Sequence, residues 1–179
     1  KVNELNLKIF EIIAAEVKID QKEIIIVSAY RPPNSSIPET LSDFQKILES
    51  LANSGKRFIL TGDINIDLNN PCNLSEQYLD LIQNHFCTQL VTEATRVTSA
   101  TRTLIDHLIT NIKGMKTEVS DDQVADHCTV IGAWKFKAKS KNKVNTDQNI
   151  SKEKMIIDYE NSVKLINEYD WNKWSEEKS

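Results

Sequence analysis

Neither a disulfide framework nor a zinc site is written into this chain: its three cysteines, Cys72, Cys87 and Cys128, are odd in number and share no short paired spacing. Such usage fits a reducing, intracellular setting. No apolar run is long enough to span a bilayer, and no charged-then-apolar secretory leader opens the sequence. An excess of positive charge is lacking too, since the net charge of −4 argues against a protein that coats nucleic acid by bulk electrostatics. There is no internal repeat, no low-complexity tract and no starting methionine. Lys1 stands first, as it would in a piece cut from a longer polypeptide.

What is present is ordinary globular material. The 179 residues, 40% hydrophobic and 27% charged, can bury a sizeable core as one domain. Residues 7–19 read as a strand with Ile9, Glu11, Ile13, Ala15, Val17 and Ile19 on one face. Residues 24–30 read as a second strand, β-branched and buried on both faces, paired with the first in an antiparallel hairpin. Arg31-Pro32-Pro33 ends it, because proline cannot donate to a ladder. A helix is expected from about Pro38, with Leu41, Phe44, Ile47, Leu48 and Leu51 on one apolar face and Gly55 beyond its end. A strand at 57–61, a helix at 75–85 bearing Tyr78, Leu79, Ile82 and Phe86, and strands at 89–93, 104–110 and 128–137 follow. Hairpins mixed with packed helices predict an α+β, layered α/β architecture.

Residues 135–154 carry seven lysines against Asp147 and Glu153, a polar stretch that reads as a solvated linker. Beyond it, residues 155–169 read as a helix with Ile156, Tyr159, Val163 and Ile166 aligned, followed by Trp171 and Trp174. The expected organisation is thus a partial domain at 1–138, a lysine-rich linker at 139–154 and a helical connector at 155–179.

The most informative stretch is 57–67, where an apolar strand ends abruptly in Gly62 and a cluster of acid and amide side chains. Gly62 allows a turn or a close approach, and alternation places Asp63 and Asn65 on the same side. Asp and Asn after a strand also serve as simple turn formers. A calcium loop is excluded, because Leu68 stands where that pattern demands glycine and Leu74 where it demands a bidentate glutamate. Three further polar clusters stand at strand ends: Tyr30 with Arg31, Asp106 with His107, and Asp126 with His127. An ionised Asp106 between Ile105 and Leu108 needs a partner, and a histidine at the head of a neighbouring strand suits it.

In this order the clusters resemble the endonuclease/exonuclease/phosphatase superfamily, and most closely the endonuclease domains of non-LTR retrotransposons. Tyr30-Arg31-Pro32-Pro33 is similar to the Tyr-x-Pro-Pro element, and Gly62-Asp63-Ile64-Asn65 to Gly-Asp-Phe-Asn. Thr95-Arg96 and Ile105-Asp106-His107 are similar to the Thr-Arg and Ile-Asp-(His/Tyr) elements. Ala125-Asp126-His127 resembles Ser-Asp-His with alanine for serine. The resemblance covers about residues 8–138. It implies a DNase I-like four-layer fold of which the N-terminal part is missing here, and a Mg2+ (or Mn2+) dependent phosphodiesterase acting on DNA. It further implies no membrane association, a reverse transcriptase domain further along the same polypeptide, and a nuclear site of action.

The roles implied by resemblance are as follows. Asp106 would orient His127, which activates water or binds the scissile phosphate. Asp126 would lie near the metal, and Asp63 would handle a proton. Asn65 would bond a phosphate oxygen, Tyr30 would donate to the phosphate or fix the leaving group, and Arg96 would contact phosphate. Arg31 could equally serve the fold. The family's earlier Asn and metal-binding Glu cannot be placed before Tyr30; Glu4, Glu11, Glu16 and Glu23 do not sit in the expected setting. Two other readings stand beside the nuclease: an inactive retroelement relic or interaction module, and a phosphatase of the same superfamily.

Overall fold

A computed structural model describes residues 5–19 and 22–135; the linker and connector expected at 139–179 lie outside the described residues. In chain order the elements are β1 (Glu11–Ile19), β2 (Lys22–Tyr30), α1 (Ile37–Asn53), β3 (Arg57–Asp63), α2 (Asn73–Asn84), β4 (Thr88–Gln89), β5 (Arg96–Val97), β6 (Arg102–Thr103), β7 (Asp106–Thr110), β8 (Lys116–Val124) and β9 (His127–Ala133). One sheet runs β1-β2-β3-β7-β4 and the other β6-β5-β9-β8. Among the described residues only β2 and β3 pair in parallel, with α1 as their crossover.

The expected hairpin is present, with Glu11 opposite Tyr30, but its first strand begins four residues later than its apolar content suggests. The buried Asp43 carboxylate of α1 accepts the backbone N–H groups of Lys8 and Ile9 at 2.6 and 2.7 Å. That bond pattern peels residues 8–9 away from the sheet. In α1 itself the spacing reads as expected: Phe44, Ile47, Leu48 and Leu51 are fully buried, and Pro38 occupies the first turn, where its missing N–H costs nothing. Each such side chain contributes roughly 1.5–3 kcal/mol of transfer free energy.

Three layers result. Val27, Ala29, Leu60 and Ile109 on one face of the first sheet pack with α1 and α2. Ile24, Ile59 and Leu108 on its other face form a second core with Val119 and Val130 of the second sheet. The layered α+β reading therefore holds. Burial on both faces of β2 does not extend past Ile25: Ile26, Ser28 and Tyr30 are exposed, and across from them Ile13 of β1 is 69% exposed.

Two local departures have clear causes. Phe86, expected on the apolar face of α2, is 92% exposed with φ 56. It stands just past the helix, where Cys87 N–H donates to Ile82 O and Phe86 N–H donates to Gln83 O, a left-handed helix ending that turns its side chain outward. β4 is shorter than the strand expected at 89–93, because Gln89 closes a local turn through two bonds of its carboxamide with Val91. Among the described residues no helix is long and apolar enough to cross a membrane.

Candidate active site

Alternation places Tyr30, Asp63 and Asp106 on the face of the first sheet that carries Ile24, Ile59 and Leu108, the side where the second sheet packs. These polar residues stand where the strands outrun that apolar contact. Asp63 and Asp106 are direct cross-strand partners in the antiparallel β3–β7 pair. Burial, and then the neighbouring Asp106 carboxylate, raise the pKa of Asp63 above its ordinary value.

The second sheet supplies the partner. Val124 pairs with His127 across a two-residue turn whose first member, Ala125, takes φ 60, a conformation that alanine adopts under strain. This turn sets His127 so that its Nδ1–H donates to Asp106 Oδ2 at 2.8 Å. In the neutral form of the ring this bond makes Nε2 the acceptor. Next to it, Arg96 lies opposite His127 in the β5–β9 pair, and its Nε donates to Asp126 Oδ2 at 2.6 Å. That bond lowers the pKa of the Asp126 carboxyl below its usual value.

Asn65 lies one residue pair beyond β3, in a left-handed conformation at φ 52. The alternation expected to align it with Asp63 has ended, yet the two remain in contact. Asn65 Nδ2 donates to Asp63 Oδ2 at 3.1 Å and to Arg31 O at 2.9 Å, while Asn65 N–H donates to Asp63 Oδ1 at 3.1 Å. Both amide hydrogens are committed, so Asn65 as placed orients Asp63. Tyr30 is 41% exposed at the end of β2, and the N–H of the next residue, Arg31, donates to Asp63 O at 2.9 Å. The structure thus brings Asp63, Asn65, Asp106 and His127 into one connected chain of contacts, with Tyr30 beside the β3 end and the Arg96–Asp126 pair beside His127.

Two residues that sequence reasoning gave no role hold this cluster. Thr95 is fully buried; its hydroxyl accepts the N–H groups of Ile105 and Asp106, and its carbonyl accepts that of Cys128. It thereby ties β7 to β9. Its place beside Arg96 in a recognised motif was the available signal. Asp67 accepts Leu104 N–H at 2.9 Å and closes the segment after Asn65 onto the approach to β7.

His107, adjacent to Asp106 in sequence, points the opposite way, as alternation requires. It is buried in the core, where Tyr78 O–H donates to its Nδ1 at 2.8 Å and its Nε2 faces Leu104 O at 3.4 Å. Burial lowers its pKa to about 4. The fold thus holds a neutral imidazole, while the unfolded chain takes up a proton as pH falls below about 6.5. Stability should fall progressively between pH 6.5 and 4, by about 2 kcal/mol already at pH 5 from this group. Urea midpoints at pH 7 and pH 5 measure it, and the double variant Tyr78→Phe, His107→Leu should lose this part of the dependence. Equal loss in that variant would show that His107 is not its source.

A metal does not follow from these side chains alone. Among the described residues no group of three or more His, Cys, Asp or Glu side chains is placed to hold an ion. Asp126, the expected ligand, is already bonded to Arg96. The residues present therefore do not by themselves make a magnesium site.

A family model described as "Endonuclease-reverse transcriptase" matches residues 24–131. A comparison with curated protein sequences finds no match. Among solved structures, the endonuclease domain of TRAS1, a telomere-specific non-LTR retrotransposon, superposes with TM-score 0.57 at 17% identity, over 68% of this chain and 60% of that one. An endonuclease/exonuclease/phosphatase family protein from Leptotrichia buccalis gives TM-score 0.51 at 16% identity, over 70% and 54%. A variant of beta toxin from Staphylococcus aureus with bound magnesium ions gives 0.50 at 11%, over 68% and 53%. These likenesses carry the fold. The chain spans 60% of the length of the TRAS1 structure.

Proposed function

This chain belongs to the endonuclease–reverse transcriptase family, and we propose that it forms part of a domain that hydrolyses phosphodiester bonds in the DNA backbone. The observation that carries the reading is the Asp106–His127 contact at 2.8 Å, set beside an Asp63 whose pKa is raised. In the proposed reaction a water oxygen attacks phosphorus and the bond to the leaving oxygen breaks. His127 Nε2 takes the water's proton, and the Asp106 carboxylate holds the ring in the tautomer that allows it and stabilises the charge that forms. Asp63 handles the second proton, passing one drawn from solvent to the leaving oxygen so that it departs as a hydroxyl. Asn65 exchanges one of its amide bonds for a nonbridging phosphate oxygen, Tyr30 donates to the phosphate or the leaving group, and Arg96 contacts phosphate.

Magnesium or manganese would neutralise phosphate charge, with Asp126 the residue nearest in type to a ligand and the family's glutamate supplied from outside these 179 residues. The apolar face around Ile13, open in the described residues, and the 60% coverage of the TRAS1 structure support a larger complete domain. A reverse transcriptase further along the polypeptide and nuclear action belong to the same reading.

The test separates the three activity classes. An upstream-extended form of the chain is offered supercoiled plasmid and, separately, a small phosphomonoester, each with magnesium and with EDTA. Magnesium-dependent nicking without phosphate release supports the nuclease. Phosphate release without nicking would replace it by a phosphatase, and neither activity would leave an interaction module.

A further inference from the structure

Arg31 is a charged side chain only 3% exposed, and a buried guanidinium is costly unless its donors are met. Here the Nη1 and Nε donors are met, by the turn that follows Asp63 and by α1. Nη1 donates to Ile64 O at 3.1 Å and to Asn65 O at 3.0 Å, and Nε donates to Thr40 Oγ1 of α1 at 3.2 Å. The backbone of the same residue adds two more bonds: its N–H donates to Asp63 O at 2.9 Å, and its carbonyl accepts Asn65 Nδ2 at 2.9 Å. One residue thus grips three consecutive positions, 63, 64 and 65, including one in a left-handed conformation that asparagine tolerates but does not prefer. A lysine could carry the charge but not the planar fork that reaches two carbonyls and a hydroxyl at once.

We propose that Arg31 is the positioning residue of this site: its guanidinium clamps the Ile64 and Asn65 carbonyls against α1 and so holds the Asn65 carboxamide on the Asp63 carboxylate. Its catalytic consequence rests on the nuclease reading; the clamp itself does not. Arg31 does not touch substrate. It sets the geometry of two groups that would, and a displacement on the order of 1 Å at such groups costs up to about 100-fold in rate.

The test is hydrogen exchange of the Asn65 side-chain amide, followed by nitrogen-15 NMR, in the wild-type chain and in Arg31→Lys. The clamp predicts at least about tenfold faster exchange in the lysine variant while the rest of the spectrum keeps its dispersion. In the full polypeptide the same variant should lower kcat for plasmid nicking by about 10- to 100-fold with KM unchanged. Unchanged exchange in folded Arg31→Lys overturns the proposal. So does a raised KM at constant kcat, which would make Arg31 a phosphate contact. Should Arg31→Lys not fold, Thr40→Val removes the Nε acceptor and must loosen the Asn65 amide, with Thr40→Ser restoring it; an unmoved amide in Thr40→Val overturns the proposal equally. Faster exchange in a protein that never nicks DNA would sink the nuclease reading and leave the clamp standing.

Discussion

Asp106→Asn is expected to lower the rate of plasmid nicking by the upstream-extended form by about 10²- to 10⁴-fold, and His127→Ala by a similar factor. The two residues act as a unit. Asp106 Oδ2 accepts the Nδ1 proton of His127, which fixes Nε2 as the basic nitrogen and offsets the charge the ring gains when it takes a proton. An asparagine can present its amide N–H₂ to Nδ1 instead, favouring the wrong tautomer and removing the compensating charge. The double variant should therefore be no slower than the worse single variant by more than about threefold, since each change disables the same step. Fold loss is not the cause expected, because the Asp106 backbone stays anchored by Thr95 Oγ1 at 2.9 Å whatever its side chain. Single-turnover nicking rates for the four proteins check this, and effects that multiply would show that Asp106 and His127 act separately.

Gly62→Ala should prevent folding of the β2–β3 pair. Gly62 has φ +145, a region essentially closed to other residues, and a Cβ there would lie 1.9 Å from Ala29 O and 2.9 Å from Ala29 C. The obstacle is the backbone of β2, paired in parallel with β3. No rotamer change can relieve it. Separating the strands would expose Val27 and Leu60 and draw Arg31 away from the Asp63 carbonyl. The expected loss exceeds about 4 kcal/mol, at the exceptional end for a single methyl group. Urea unfolding followed by circular dichroism measures it; a midpoint within a few tenths molar of wild type would mean that the strands do not approach this closely.

Much of this architecture is legible along the chain because apolar spacing there serves one face at a time. Phe44, Ile47, Leu48 and Leu51 announce α1, and the β2 and β3 runs announce central strands. The order of Tyr30, Asp63, Asn65, Asp106 and His127 announces the cluster that the fold then gathers. β8 is different. Thr-Glu-Val-Ser-Asp-Asp-Gln-Val lacks a strand's apolar content, and most of its side chains face solvent; it is a strand because β9 pairs with it, a fact that sits elsewhere in the sequence. Residues 8–9 look like strand until the carboxylate of Asp43, 34 residues or more away, claims their N–H groups. That Arg31 could serve the fold is legible in the sequence, but the carbonyls of Ile64 and Asn65 that converge on it and accompany its burial are not. His107 carries a different lesson: adjacent to Asp106, it belongs to the other face and to the core, which period-two alternation already requires.

Nicking of supercoiled plasmid in magnesium, by this 179-residue chain and by its upstream-extended form at equal concentration, tests the central claim most directly. The claim is that Asp63, Asn65, Asp106 and His127 handle the phosphate while a metal-anchoring glutamate comes from outside this chain. It predicts that the extended form nicks, that EDTA stops it, and that the short chain nicks slowly or not at all. Efficient nicking by the short chain, or none by an extended form that carries the glutamate, would contradict it.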